Sequence, residues 1–110
     1  MRTLYLSARH GMTQQGTAFY RDFQTILNTS VGPDYAIYSH LIVKIHPGDK
    51  IIVFDRDHEQ LAEGLVAIHP VPTSKAGNGV QRYDIPISNL HPVSPYVAPP
   101  GVNRCGVALV

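Results

Sequence analysis

The chain has 110 residues, of which 44% are hydrophobic and 15% charged, with a formal net charge of +1. That is enough apolar material for one buried core without metals or disulfides, and too little charge for a disordered chain or a large solvated helical surface. It also excludes a protein that holds nucleic acid mainly by neutralising many phosphates, while leaving recognition of one base or nucleotide open.

The opening stretch, MRTLYLSARHGMT, lacks the apolar core of roughly 7 to 15 residues that a signal peptide needs, and no run approaches the roughly 18 that would span a membrane. A soluble cytoplasmic protein with no membrane contact is expected. Residues 3–8, TLYLSA, are apolar and β-prone, and the polar RHGMTQQG ends that strand with Gly11 and Gly16. From Thr17, Phe19, Phe23, Ile26 and Leu27 share one face of a helix over residues 17–29, with Thr17 as its cap and Gly32 and Pro33 as its stop.

Everything after that helix reads as β. YAIYSHLIVKI, residues 35–45, leads into the turn HPGD and the buried run KIIVF; a polar excursion, DRDHEQ, precedes the returning strand LAEGLVAI. Residues 69–79, HPVPTSKAGNG, combine prolines, glycines and Asn78 and form the expected mobile loop. Residues 80–87, VQRYDIPI, alternate as a strand that Pro86 marks as an edge or an end. The tail SPYVAPPGVNRCGVALV opens Pro-rich and closes on a run without charge. Its Cys105, the single cysteine, closes no intrachain bridge and supplies no CxxC pair for zinc, which fits a reducing compartment.

Three His-Pro pairs, at His46, His69 and His91, recur at a spacing of 22 to 23 residues. A three-histidine metal site is one reading, but the chain has no HxH or HxxxH seed, and no metal or other cofactor is expected. An internal repeat is another, but the residues that follow the pairs, GDKIIVF, VPTSKAG and VSPYVAP, have almost nothing in common. Proline forces its predecessor into an extended conformation and donates nothing to a ladder, so each pair is expected to mark a strand end.

Residues 45–68, IHPGDKIIVFDRDHEQLAEGLVAI, resemble the central hairpin of the PUA-like superfamily, which includes the PUA, ASCH and EVE domains. There a Gly-Asp turn precedes an apolar strand ending in an aromatic, and a small residue opens the returning strand; Gly48, Asp49, Phe54 and Gly64 stand at the matching positions. Residues 82–90, RYDIPISNL, resemble the later strand. The resemblance spans residues 3–93 and implies an α+β fold: a small, mostly antiparallel PUA-like β-barrel with one main helix. It also implies a module that binds RNA, a base or a nucleotide. The chain has no Trp for an aromatic cage of the EVE type and lacks the Gly-x-Lys-x-x-Glu-x-Arg pattern of ASCH domains.

The polar and aromatic residues suited to such a ligand fall in three groups. Tyr38, Ser39 and His40 combine a ring on which a base can stack with side chains that read its polar edge; the alternative is that the tyrosines of this segment are ordinary strand aromatics. Arg9 with His10, and Arg82 with Tyr83, offer guanidinium groups suited to phosphate, or are simply solvated. The acidic DRDHE, residues 55–59, reads as a solvated turn. No catalytic residue is assigned.

The expected function is therefore a non-enzymatic module that recognises a nucleobase, a nucleotide or a short nucleic acid segment. One alternative is an oligomer that sequesters a small signalling nucleotide, as in bacterial defence against phage. Another is an ASCH-like hydrolase of modified nucleosides working through Lys44 or Lys50. The division expected is a barrel over residues 1–93 and, over residues 94–110, a Pro-rich arm with an apolar strand. That strand either completes its own barrel or pairs with a second copy as a homo-oligomer.

Overall fold

The computed structural model describes residues 2–8, 22–75, 77, 79–103 and 105–110. The described residues form seven strands and two short helices: β1 (Thr3–Ser7), α1 (Phe23–Thr29), β2 (Val31–Ala36), α2 (Ser39–Ile42), β3 (Lys50–Asp55), β4 (Gln60–Val66), β5 (Val71–Lys75), β6 (Gln81–Val93) and β7 (Val107–Leu109). They make one sheet in the order β2-β6-β4-β3-β1-β7, with β5 also paired to β6. Only the β1–β3 pairing is parallel.

The sheet curls into a half-barrel. β2 and β1 are not ladder neighbours, yet the Tyr35 hydroxyl donates to the Ser7 carbonyl at 2.6 Å, and a Cβ at Gly32 would stand 2.9 Å from the Leu6 side chain. Only a glycine lets the two strands approach so closely. Inside the curl lie Leu4, Leu6, Ile26, Tyr35, Ile45, Ile51, Val53, Ala62 and Ile85, each 0% exposed. No described helix is long and apolar enough to cross a membrane.

The helical part departs from the sequence reading. α1 begins at Phe23 because Asp22 is extended and its carboxylate accepts the Thr25 N–H at 3.1 Å, the geometry of an N-cap. Asp22, not Thr17, therefore caps it, and Thr17 and Phe19 lie outside the described residues. Phe23 and Ile26 are buried as expected, with Leu27 packed at the margin of the core. α1 has 7 residues and α2 has 4, so the described residues form a mostly β half-barrel, in keeping with the expected barrel, with two short helices among them.

Three β expectations also change. The run read as a strand from Tyr35 leaves the ladder after Ala36 and turns through α2, which buries Ile42. The expected mobile loop contains β5, held to β6 by pairs such as Val71 with Asp84 and Pro72 with Tyr83. β6 runs for 13 residues straight through Pro86 and through the third His-Pro pair, so His91 and Pro92 lie inside a strand and not at its exit. Pro86 is tolerated because β4 ends opposite Ile87 and β5 begins opposite Asp84. It faces the gap between them, where no ladder N–H is required.

The Gly-Asp turn has its own logic. Gly48 adopts φ +92° and donates to the Val66 carbonyl at 2.8 Å, while the Asp49 carboxylate accepts the His46 N–H at 2.9 Å. The turn thus clamps the start of β3 to the end of β4. Further along the same pair of strands, Gly64 lies so close to β6 that a Cβ would stand 2.7 Å from both Ile87 Cγ2 and the Ser88 carbonyl. That approach accompanies a register shift in β6 at Asn89, which has φ +55°.

β7 closes the far edge by pairing with β1 of its own chain. Thr3 and Val110 exchange both backbone bonds, so the alternation of an antiparallel ladder turns the N–H and C=O of Val107 and Leu109 outward. Asn103 occupies the Val107 pair: its N–H donates to the Val107 carbonyl at 3.0 Å and its Oδ1 accepts the Val107 N–H at 3.1 Å.

Candidate functional site

At the open end of the half-barrel, where β2 passes into α2 and β5 meets β6, the surface folds into a cleft of about 430 Å³ lined by Ile37, Tyr38, Ser39, Lys75, Gly79, Val80, Gln81 and Tyr83. Alternation along β6 explains its placement. Ile87, Ile85, Tyr83 and Gln81 point to the same side of the strand; the first two are buried and the next two line the cleft. The cleft is the mouth of the inner face, apolar at its base and polar at its rim.

Each wall is held by backbone pairing. Ile37 donates to the Gln81 carbonyl at 3.1 Å, which carries the β2–β6 ladder one residue further and delivers Tyr38 and Ser39 to the rim. The Tyr38 N–Cα–C unit is extended and its carbonyl accepts the first bonds of α2 from Leu41 and Ile42. His40 stacks on Tyr38 with ring centroids 5.9 Å apart and planes inclined by 20°. Across the cleft, Lys75 and Gln81 are direct cross-strand partners. The Gln81 Nε2 donates to the carbonyls of Ser74 and Arg82, both at 3.1 Å.

Of the residues singled out from sequence, Tyr38, Ser39 and Tyr83 come together in the cleft, and His40 lies against its Tyr38 wall. Arg82 does not line it: it points to the other side of β6, where Nη1 donates to the Asp34 carbonyl at 2.9 Å. This bond helps pin a bulge in β2, since Asp34 has φ +49° and its N–H donates to Asp84 Oδ1 at 3.0 Å. Arg9 and His10 lie outside the described residues.

Lys75 was missed because residues 69–79 read as a loop, and Val80 and Gln81 because the strand read over residues 80–87 was then given no partner on that side. The usable signal was SKAGNGVQ: a short Gly- and Asn-bearing connection between two segments that can pair, the pattern of a hairpin. Reading it so would have set Lys75 beside Gln81.

The other polar groupings lie elsewhere. Lys50 pairs with Glu63 at 3.3 Å beside Asn89 and His91, in a smaller hollow of about 190 Å³, and Lys44 is exposed in the turn after α2. In the β3–β4 hairpin the solvated-turn reading holds for residues 56–59 but not for Asp55, which is 1% exposed. Its Oδ1 accepts the N–H groups of Asp57 and His58, a side-chain template for the turn, and its Oδ2 lies 3.2 Å from His58 Nδ1. His46, His69 and His91 stand on separate segments, and no group of three His, Cys, Asp or Glu among the described residues is arranged to hold a metal ion.

Comparison of the chain with family models, curated proteins and solved structures gives no match.

Proposed function

We propose that the chain is a small nucleotide-recognition module in which the cleft at the mouth of a PUA-like half-barrel takes a nucleobase against Tyr83 and Tyr38. The observation that carries this reading is the cleft's lining: two tyrosines and apolar Ile37 and Val80, with Lys75 as the one cation and no carboxylate among the described lining residues. Flat apolar walls suit a heteroaromatic ring, polar rim atoms suit its edge, and an unopposed ammonium suits an anionic substituent.

The reading is of a binding site: the described lining residues offer aromatic, amide and ammonium groups for contact, and Lys44 and Lys50, the lysines of the hydrolase alternative, lie outside that lining. The PUA-like part of the reading rests on the Gly48-Asp49 turn, Phe54, which is buried, and Gly64, which is packed close against β6.

Calorimetric titration with a panel of nucleosides and nucleotides tests the reading. Tyr83→Ala and Tyr38→Ala are each expected to weaken binding by about 1 to 3 kcal/mol, the usual value of one stacked aromatic. A wild-type protein that binds no base-containing compound at millimolar concentration overturns the proposal.

A further inference from the structure

We infer that the cleft holds one nucleotide with its phosphate on Lys75 and an N–H of its base donating to Gln81 Oε1, an inference that rests on the nucleotide reading above. Gln81 carries both a donor and an acceptor, but its Nε2 is committed to the carbonyls of Ser74 and Arg82. Turning the amide over would place an oxygen against two carbonyl oxygens. The side chain is therefore locked, and what it has to offer in the cleft is an acceptor. A base presents N–H groups on its pairing edge, and a base alkylated at those nitrogens does not satisfy Oε1.

Lys75 supplies the second contact. As the direct cross-strand partner of Gln81 it stands beside the locked amide, and its flexible four-carbon stem lets the ammonium follow a substituent of the ligand. No described carboxylate lies within ion-pair distance of it; Glu63 pairs with Lys50, and the Asp55 carboxylate lies against His58. A charge left unopposed next to Ile37, Val80 and Tyr83 favours an anion.

The described cations bear on the length of the ligand. Binding a strand takes a track of cations along the backbone, whereas Lys75 is the one Lys or Arg among the described lining residues; Lys50 is paired with Glu63, the Arg56 guanidinium lies 5.5 Å from the Phe54 ring centroid, and Arg82 is bonded to the Asp34 carbonyl. A volume of about 430 Å³ matches a small-molecule site. The ligand is a mononucleotide, not a segment of a longer strand.

The experiment is calorimetry of wild-type protein, Lys75→Gln and Gln81→Leu against the four ribonucleoside monophosphates, their nucleosides and a mixed-sequence RNA hexamer, at two salt concentrations. Circular dichroism confirms that both variants are folded; Lys75 is exposed, so its replacement leaves the core untouched. At least one monophosphate is expected to bind wild type about tenfold more tightly than its nucleoside, the scale of one charge-assisted hydrogen bond. Lys75→Gln abolishes that preference, and Gln81→Leu weakens nucleoside and monophosphate alike. The hexamer binds no more tightly than the best monophosphate. Equal binding of nucleoside and monophosphate by wild type, or a hexamer bound at least tenfold more tightly, overturns the inference and leaves the base-stacking reading intact. Absence of binding by any of these compounds overturns both.

Discussion

The two ends of the sheet are built to different rules. Along β7-β1-β3-β4 the β1 pairings and the β3–β4 ladder run without a shift of register, the inward side chains are sealed, and the outer edge is stopped by Asn103. Along β2-β6-β5 the register shifts in both pairings, Asp34 takes a left-handed conformation, every residue of β5 is exposed, and the cleft opens between the elements. The regular end holds the inner face together. The irregular end re-aims side chains such as Tyr38, Lys75 and Gln81, because bulges and short helical turns release a chain from strict alternation.

The comparison breaks first at Gly64. Replacing it with Ala puts a methyl 2.7 Å from a backbone carbonyl and from Ile87, neither able to withdraw cheaply. Overpacking of this kind is expected to cost about 3 kcal/mol, and Gly64→Val is expected to prevent folding. Gly77, beside the cleft, has no atom within 4 Å of its notional Cβ, so Gly77→Ala is expected to change stability by less than about 0.5 kcal/mol. Urea denaturation of the two alanine variants measures the contrast.

A second test separates core from rim. Leu6→Ala is expected to lose about 3 kcal/mol, because Leu6 is sealed between β2 and β3, whereas Val71→Ala on exposed β5 changes stability by less than about 0.5 kcal/mol.

Tyr35→Phe sharpens the comparison, since the Tyr35 hydroxyl is the bond that ties the irregular end to β1 through the Ser7 carbonyl. Its loss leaves a carbonyl without that partner and is expected to cost about 1 to 2 kcal/mol in thermal or urea unfolding. The smaller of the two hydrogen-bond losses is at the edge. Asn103→Ala removes the acceptor for the Cys105 and Val107 N–H groups, is expected to cost about 1 kcal/mol, and speeds hydrogen exchange at Val107. It also uncovers part of the edge, so light scattering of this variant beside wild type reads whether Asn103 restrains pairing between copies.

The regular end was legible in the sequence for a physical reason. TLYLSA, KIIVF and LAEGLVA are short apolar runs bounded by turn residues, and strands buried on one or both sides need little else. The irregular end was less so. β5 contains Pro72, Thr73 and Ser74, and its strand character comes from pairing with β6, not from propensity. Residues 39–42 are β-prone by composition but turn helically because the chain must leave the ladder and bury Ile42. Among site residues, Tyr38, Ser39 and Tyr83 were legible as aromatic and polar neighbours. Lys75 and Gln81 were not, since their adjacency depends on a register that only the folded hairpin sets. Arg82, singled out beside Tyr83, does not line this cleft, because one residue of strand offset decides whether a side chain enters the cleft or crosses to Asp34.

The most direct test of the account is a titration of isotopically labelled protein with the tightest-binding nucleoside monophosphate, followed residue by residue in amide NMR spectra. The account predicts that the largest shifts fall on Tyr38, Ser39, Lys75, Gly79, Gln81 and Tyr83, with Lys50, Glu63, His91 and β7 unmoved. Shifts centred on the Lys50–Glu63 hollow or on the β7 edge, with the cleft residues unchanged, would contradict it.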